Sequence, residues 1–203
     1  YKSTSILKIL KQHLTIFLLC GVLAGCIGST NQFNIIFFAT YNFKIIHLAS
    51  ESDMQMYRML AVILYMVFAI IAGLAADYFG RKKIASIGAA AVKLFSSLTA
   101  YNTANGYLSI SLYMLNTIAL TFLVIPALAF LKQSIPAAIR FRIFSLAHAM
   151  GSILISGTTP VFSTYLYHAT EIIWLPVAYF VLIITIMISV IHILCAKYGA
   201  NDY

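Results

Sequence analysis

The chain has 203 residues, 62% of them hydrophobic and only 9% charged, and its mean hydropathy is +0.95. Soluble domains carry about 25% charged residues, so 13 basic and 5 acidic side chains cannot clothe a water-facing surface of this size. The basic excess is not a nucleic-acid footprint either, because the cations sit in short loops between apolar runs.

Apolar runs fall at about 14–39, 54–76, 84–101, 108–131, 143–166 and 172–195. Each is long enough to cross roughly 30 Å of hydrocarbon as a helix. None alternates with period two, as a barrel strand would. Lipid offers no partners to unpaired backbone groups, so helix is the remaining choice. The expectation is an all-α integral membrane protein, residues 1–203 forming a single six-helix bundle.

The first run is longer than a signal-peptide core, and no small-residue cleavage site ends it, so it is read as a span. Gly21, Gly25 and Gly28 give it a small-residue face for helix packing. Cys20, Cys26 and Cys195 lie in apolar stretches and read as buried filler, not as a disulfide or a metal site. In the second run, Arg58 stands one turn inside the outer boundary and reads as an anchor.

The second run ends in Gly73-Leu-Ala-Ala-Asp77-Tyr-Phe-Gly80-Arg81-Lys82-Lys83. Gly73, one turn before the aspartate, would let a neighbouring helix approach closely. Asp77 sits where the helix leaves the membrane, and it can pair with Arg81 or meet the positive end of another helix. Gly80 permits the reversal. In the third run Lys93 lies near mid-bilayer, where an ionisable group needs a role: a cation facing a cavity, or one that snorkels or pairs within the bundle. Pro136 ends the fourth run and stiffens the loop, and Arg140 is set to pair with an acid or a lipid phosphate. Gly151, Gly157 and Pro160 make the fifth run bendable, with Thr158 and Thr159 placed to cover freed backbone groups. His148 reads as a packed neutral histidine. Trp174, Tyr165 and Tyr167 read as an interfacial belt.

Orientation follows from the loops. Lys2, Lys8, Lys11, Arg81, Lys82, Lys83, Lys132, Arg140, Arg142 and Lys197 fall on one side. Lys44, Glu51, Asp53 and Glu171 fall on the other. The positive-inside rule then puts both termini in the cytoplasm, in a bacterial-type inner or plasma membrane.

The glycine–aspartate–glycine–cation loop between a second and third helix resembles the signature loop of the major facilitator superfamily. Tyr78 stands where that pattern usually has a basic residue, and Ala75 where it prefers leucine. The stretches Pro136-Ala-Ala-Ile-Arg140-Phe and Ser156-Gly157-Thr158-Thr159-Pro160 resemble motifs of its metabolite:proton symporter family. Leu175-Pro176-Val-Ala-Tyr179-Phe looks most like the proline/betaine transporters. The resemblance runs from about residue 14 to 195 and implies the carboxy-terminal half, family helices seven to twelve, of a twelve-helix transporter.

That resemblance implies several further things. The function would be proton symport of a small zwitterionic or organic-acid solute, such as proline or betaine. The partners would be the lipid bilayer, the solute and a second six-helix half, with no nucleic acid. Gly73, Asp77, Gly80, Arg81, Lys82 and Lys83 would form the gating loop, with Pro136 and Arg140 in a second loop. Family helices seven and ten line the cavity, which makes Asn31, Asn34, Tyr41, Tyr113 and Asn116 substrate candidates. Amides can hold a carboxylate, and tyrosines can cage a quaternary ammonium. No nucleophile–base pair, metal cluster or phosphate loop is visible, so no enzyme and no cofactor is expected, only a proton as coupling ion. The alternative is a truncated, non-transporting membrane fragment that at most associates with partner membrane proteins.

Overall fold

The computed structural model describes residues 11–198. Lys2 and Lys8, counted above among the cytoplasmic cations, lie outside the described residues. Among those residues the regular structure is helical throughout, with no strand. Helix α1 runs Leu14–Ile45, α2 Glu51–Phe79, α3 Arg81–Ala104 and α4 Ile110–Gln133. Then follow α5 Arg140–Gly151, α6 Thr159–Thr170 and α7 Leu175–Tyr198. Five of these, α1 to α4 and α7, are long and apolar enough to cross a membrane.

The fifth expected span differs from the rest. It is two 12-residue helices joined by a wide-wound stretch, Ser152–Ser156, and a turn. Pro160 has no N–H and sits in the first turn of α6, where that missing donor is tolerated. The Thr158 hydroxyl donates to the carbonyl of Leu154 at 3.0 Å, and that of Thr159 to Ile155 at 2.8 Å. The threonines thus cover the opened backbone, as their spacing implied.

Helix α1 is longer than its apolar run. Its outer third is π-wound at Phe33–Phe37 and Tyr41–Ile45, and Asn42 stitches it by donating to the Phe38 carbonyl at 2.8 Å. Stretches of this kind recur at functional sites.

Lipid gives helices no hydrophobic reason to associate, so close backbone packing must hold them. Helix α1 crosses α5 through glycines: a Cβ on Gly25 would meet the Gly151 carbonyl oxygen at 2.9 Å. Beside this crossing, the Ser29 and Thr159 hydroxyls lie 2.8 Å apart, close enough to share a hydrogen bond. Gly80, at φ +93°, makes the α2–α3 reversal in a conformation that side-chain-bearing residues avoid. Gly73 behaves otherwise than its spacing implied. The nearest group to a Cβ there is an Ile125 methyl at 4.0 Å, so no neighbour approaches closely enough to require glycine.

The packing repeats. Helix α1 lies against α5, its π-wound extension and α7; in the same way α4 lies against α2 and α3. The two sets meet through α1 with α4 and through α3 with α7.

Candidate functional site

Near the outer end of the bundle, α1, α3, α4 and the start of α7 enclose a small cavity. Asn34, Tyr41, Tyr113 and Asn116, four of the five expected solute-cavity residues, line it. All four are buried. Asn31 is not among the lining residues. It is half-buried and sits beside Tyr65 of α2.

Asn34, Tyr113 and Asn116 are bound to one another, with Thr117. Asn34 Nδ2 donates to Thr117 Oγ1 at 3.0 Å, and Asn116 Nδ2 donates to Asn34 Oδ1 at 3.0 Å. Thr117 passes its proton to the Tyr113 carbonyl at 3.0 Å. The Tyr113 hydroxyl closes the loop on the Asn34 carbonyl at 3.3 Å. Asn34 lies in the first π-wound stretch, where the widened turn loosens the usual backbone pairing. Tyr41 donates to the Ile173 carbonyl at 3.3 Å, tying α1 to the segment before α7. Asn116 Oδ1 is left buried without a partner. Among the polar side-chain atoms of Asn34, Tyr41, Tyr113 and Asn116, it alone has no hydrogen-bond partner within the described residues.

The aromatic walls are closed on each other. Phe38 stacks on Tyr113 with centroids 4.6 Å apart, and Phe37 on Tyr41 at 5.1 Å. The space between is about 30 Å³. At about 10–15 Å³ per water, that is room for two or three waters and no more. Organic ligands need roughly 300 Å³ or more. In this conformation the site is an amide-lined knot between helices, closed to a solute.

Residue-by-residue reading missed the third wall. Ser96, Thr99 and Thr103 of α3 face the cavity. Their spacing of three and four marks one helix face, a signal that was present in the sequence. Ser96 and Thr99 turn their protons back to the Val92 and Phe95 carbonyls, at 2.6 and 2.7 Å.

The other singled-out residues lie elsewhere. Lys93 is half-buried on α3 and does not line the cavity. Asp77 pairs with Arg81 at 2.7 Å across the α2–α3 turn, while Lys82 is half-buried and Lys83 exposed. Arg140 Nε donates to the Ile135 carbonyl at 3.1 Å and so spans the loop that contains the exposed Pro136. Cys20 and Cys26 are buried and Cys195 half-buried. His148 is exposed, not packed, with Nδ1 3.4 Å from the Ser152 hydroxyl. Trp174 and Tyr165 are exposed as a belt would be, whereas Tyr167 turns inward, edge-on to Tyr41 at 5.4 Å.

No known protein family, curated protein or solved structure matches the chain.

Proposed function

We propose that the chain is a six-helix half of a secondary transporter that moves a small zwitterionic or organic-acid solute, proline- or betaine-like, by proton symport. The observation that carries this reading is the repeated packing of two three-helix sets. Each set gathers two helices around one, α1 or α4, an arrangement compatible with the paired three-helix units of transporter halves of the major facilitator type. The amide knot at the junction of α1 and α4 supports the same reading, because these are the helices that the sequence resemblance assigns to the solute cavity. The broken fifth span adds to it, since discontinuous helices allow a bundle to rock.

The test is uptake of labelled proline or glycine betaine by cells lacking their own osmolyte transporters. The chain is expressed with and without a candidate second half. Uptake that collapses with the proton gradient and is lost in Asn116→Ala supports the proposal. No uptake of any zwitterion or organic acid in any pairing leaves the rival, a membrane protein that associates without transporting.

A further inference from the structure

A second opening lies at the outer end, between the last turn of α1 and the first turns of α2. It measures about 180 Å³, several times the amide cavity, and it is lined by Lys44, Glu51, Gln55 and Arg58. Arg58 is seven residues beyond Glu51, about 10 Å deeper along the helix at 1.5 Å per residue. It is half-buried there.

Among the described residues no carboxylate pairs with Lys44 or Arg58. Glu51 lines the same opening without bonding either cation, and Asp53 is held at the helix cap by the Ser50 hydroxyl at 2.6 Å. A guanidinium inside a membrane helix, here about two turns from the first residue of α2, is costly unless an anion meets it. Two cations and one carboxylate leave the groove with one positive charge to neutralise.

We propose that Lys44 and Arg58 form an oxyanion site in this groove, suited to a ligand bearing one net negative group. The guanidinium gives a planar fork for two oxygens, and the ammonium gives a point charge at the rim. Glu51 repels a second negative charge and accommodates a cationic group on the same ligand. Two sources carry this chemistry: the carboxylate of a small solute and the phosphate of a zwitterionic lipid headgroup. The site is independent of the transport reading, because its occupancy is measurable on protein that moves nothing.

Occupancy is read as acylation of Lys44 by a membrane-impermeant N-hydroxysuccinimide ester, quantified by peptide mass spectrometry with exposed Lys83 as internal control. In maltoside micelles, acetate should slow Lys44 acylation about threefold relative to chloride at equal ionic strength, the size of one partly exposed ion pair. Arg58→Gln should abolish that protection. If phosphatidylcholine nanodiscs slow the reaction without acetate, and Arg58→Gln relieves it, the lipid phosphate is the occupant. Glu51→Gln keeps both cations and should deepen the protection even if Arg58→Gln fails to fold. Equal acylation with acetate, chloride and phosphatidylcholine, in both the native chain and Glu51→Gln, overturns the site.

Discussion

Asn34 makes three contacts of the amide knot: it donates to Thr117, accepts from Asn116 and receives the Tyr113 hydroxyl on its carbonyl. Asn116 makes one and leaves an acceptor open. Removing the two Asn34 side-chain bonds, at about 0.6–1 kcal/mol each within a membrane, predicts a loss of about 1–2 kcal/mol for Asn34→Ala. Asn116→Leu should cost less, since it gives up one bond and also removes an unpaired buried carbonyl. Reversible unfolding in mixed micelles checks the order, and a larger loss for Asn116→Leu would contradict it. Asp77 is 65% exposed, so its pair with Arg81 adds little to stability. In an assembled transporter, Asp77→Asn should therefore leave unfolding nearly unchanged and alter the rate of exchange between inward- and outward-open states.

At the scale of elements, two glycines in one motif separate. Gly80 sits at φ +93° with open space around it, so its requirement is conformational. Gly80→Ala should cost about 1–3 kcal/mol through backbone strain. Gly73 is an ordinary helical residue with space for a methyl, and Gly73→Ala should fall within about 0.5 kcal/mol of neutral. The same unfolding measurement decides. A large loss at Gly73 would mean that another helix closes on it in the working protein. The fifth span raises a different question, because neither α5 nor α6, at 12 residues each, is long enough alone to cross. Crossing as a linked pair predicts that a cysteine at Glu171 reacts with an impermeant thiol reagent from outside, in a background without Cys20, Cys26 and Cys195. A return to the cytoplasmic side would leave Glu171 unreactive until the membrane is permeabilised.

For the whole molecule, the basic loops predict that a cysteine at exposed Asn105 reacts from outside and one at exposed Ala138 only after permeabilisation. The reverse pattern would invert the orientation. The closed amide cavity of about 30 Å³ further predicts that the purified chain alone shows no proton-driven uptake in proteoliposomes. Uptake by the chain alone would require this cavity to open without a second half, or two copies to share one.

The place and helical nature of the apolar segments were legible in the residue string, because lipid leaves the backbone no alternative to internal hydrogen bonds. Of the six expected spans, though, the fifth is two 12-residue helices, and five helices are long and apolar enough to cross. The turn at Gly80 was legible for the same local reason: a reversal between charged ends needs a residue free of a Cβ. Asn34, Tyr41, Tyr113 and Asn116 could be named as a group from their places on two helices, yet nothing local shows that the bonds of Asn34, Tyr113 and Asn116 are spent on one another and that of Tyr41 on Ile173. Pairing between positions 82 and 83 residues apart depends on how α1 and α4 cross, and only the assembled bundle decides it. Asn31 fell away from the group, and Ser96, Thr99 and Thr103 joined it, because the π-wound turn rotates one face of α1 and α3 supplies the facing wall. The groove at Lys44 and Arg58 belongs to the same class: alone, Arg58 reads as an anchor and Lys44 as a loop cation, and only the approach of α1 to α2 leaves both facing one unfilled space.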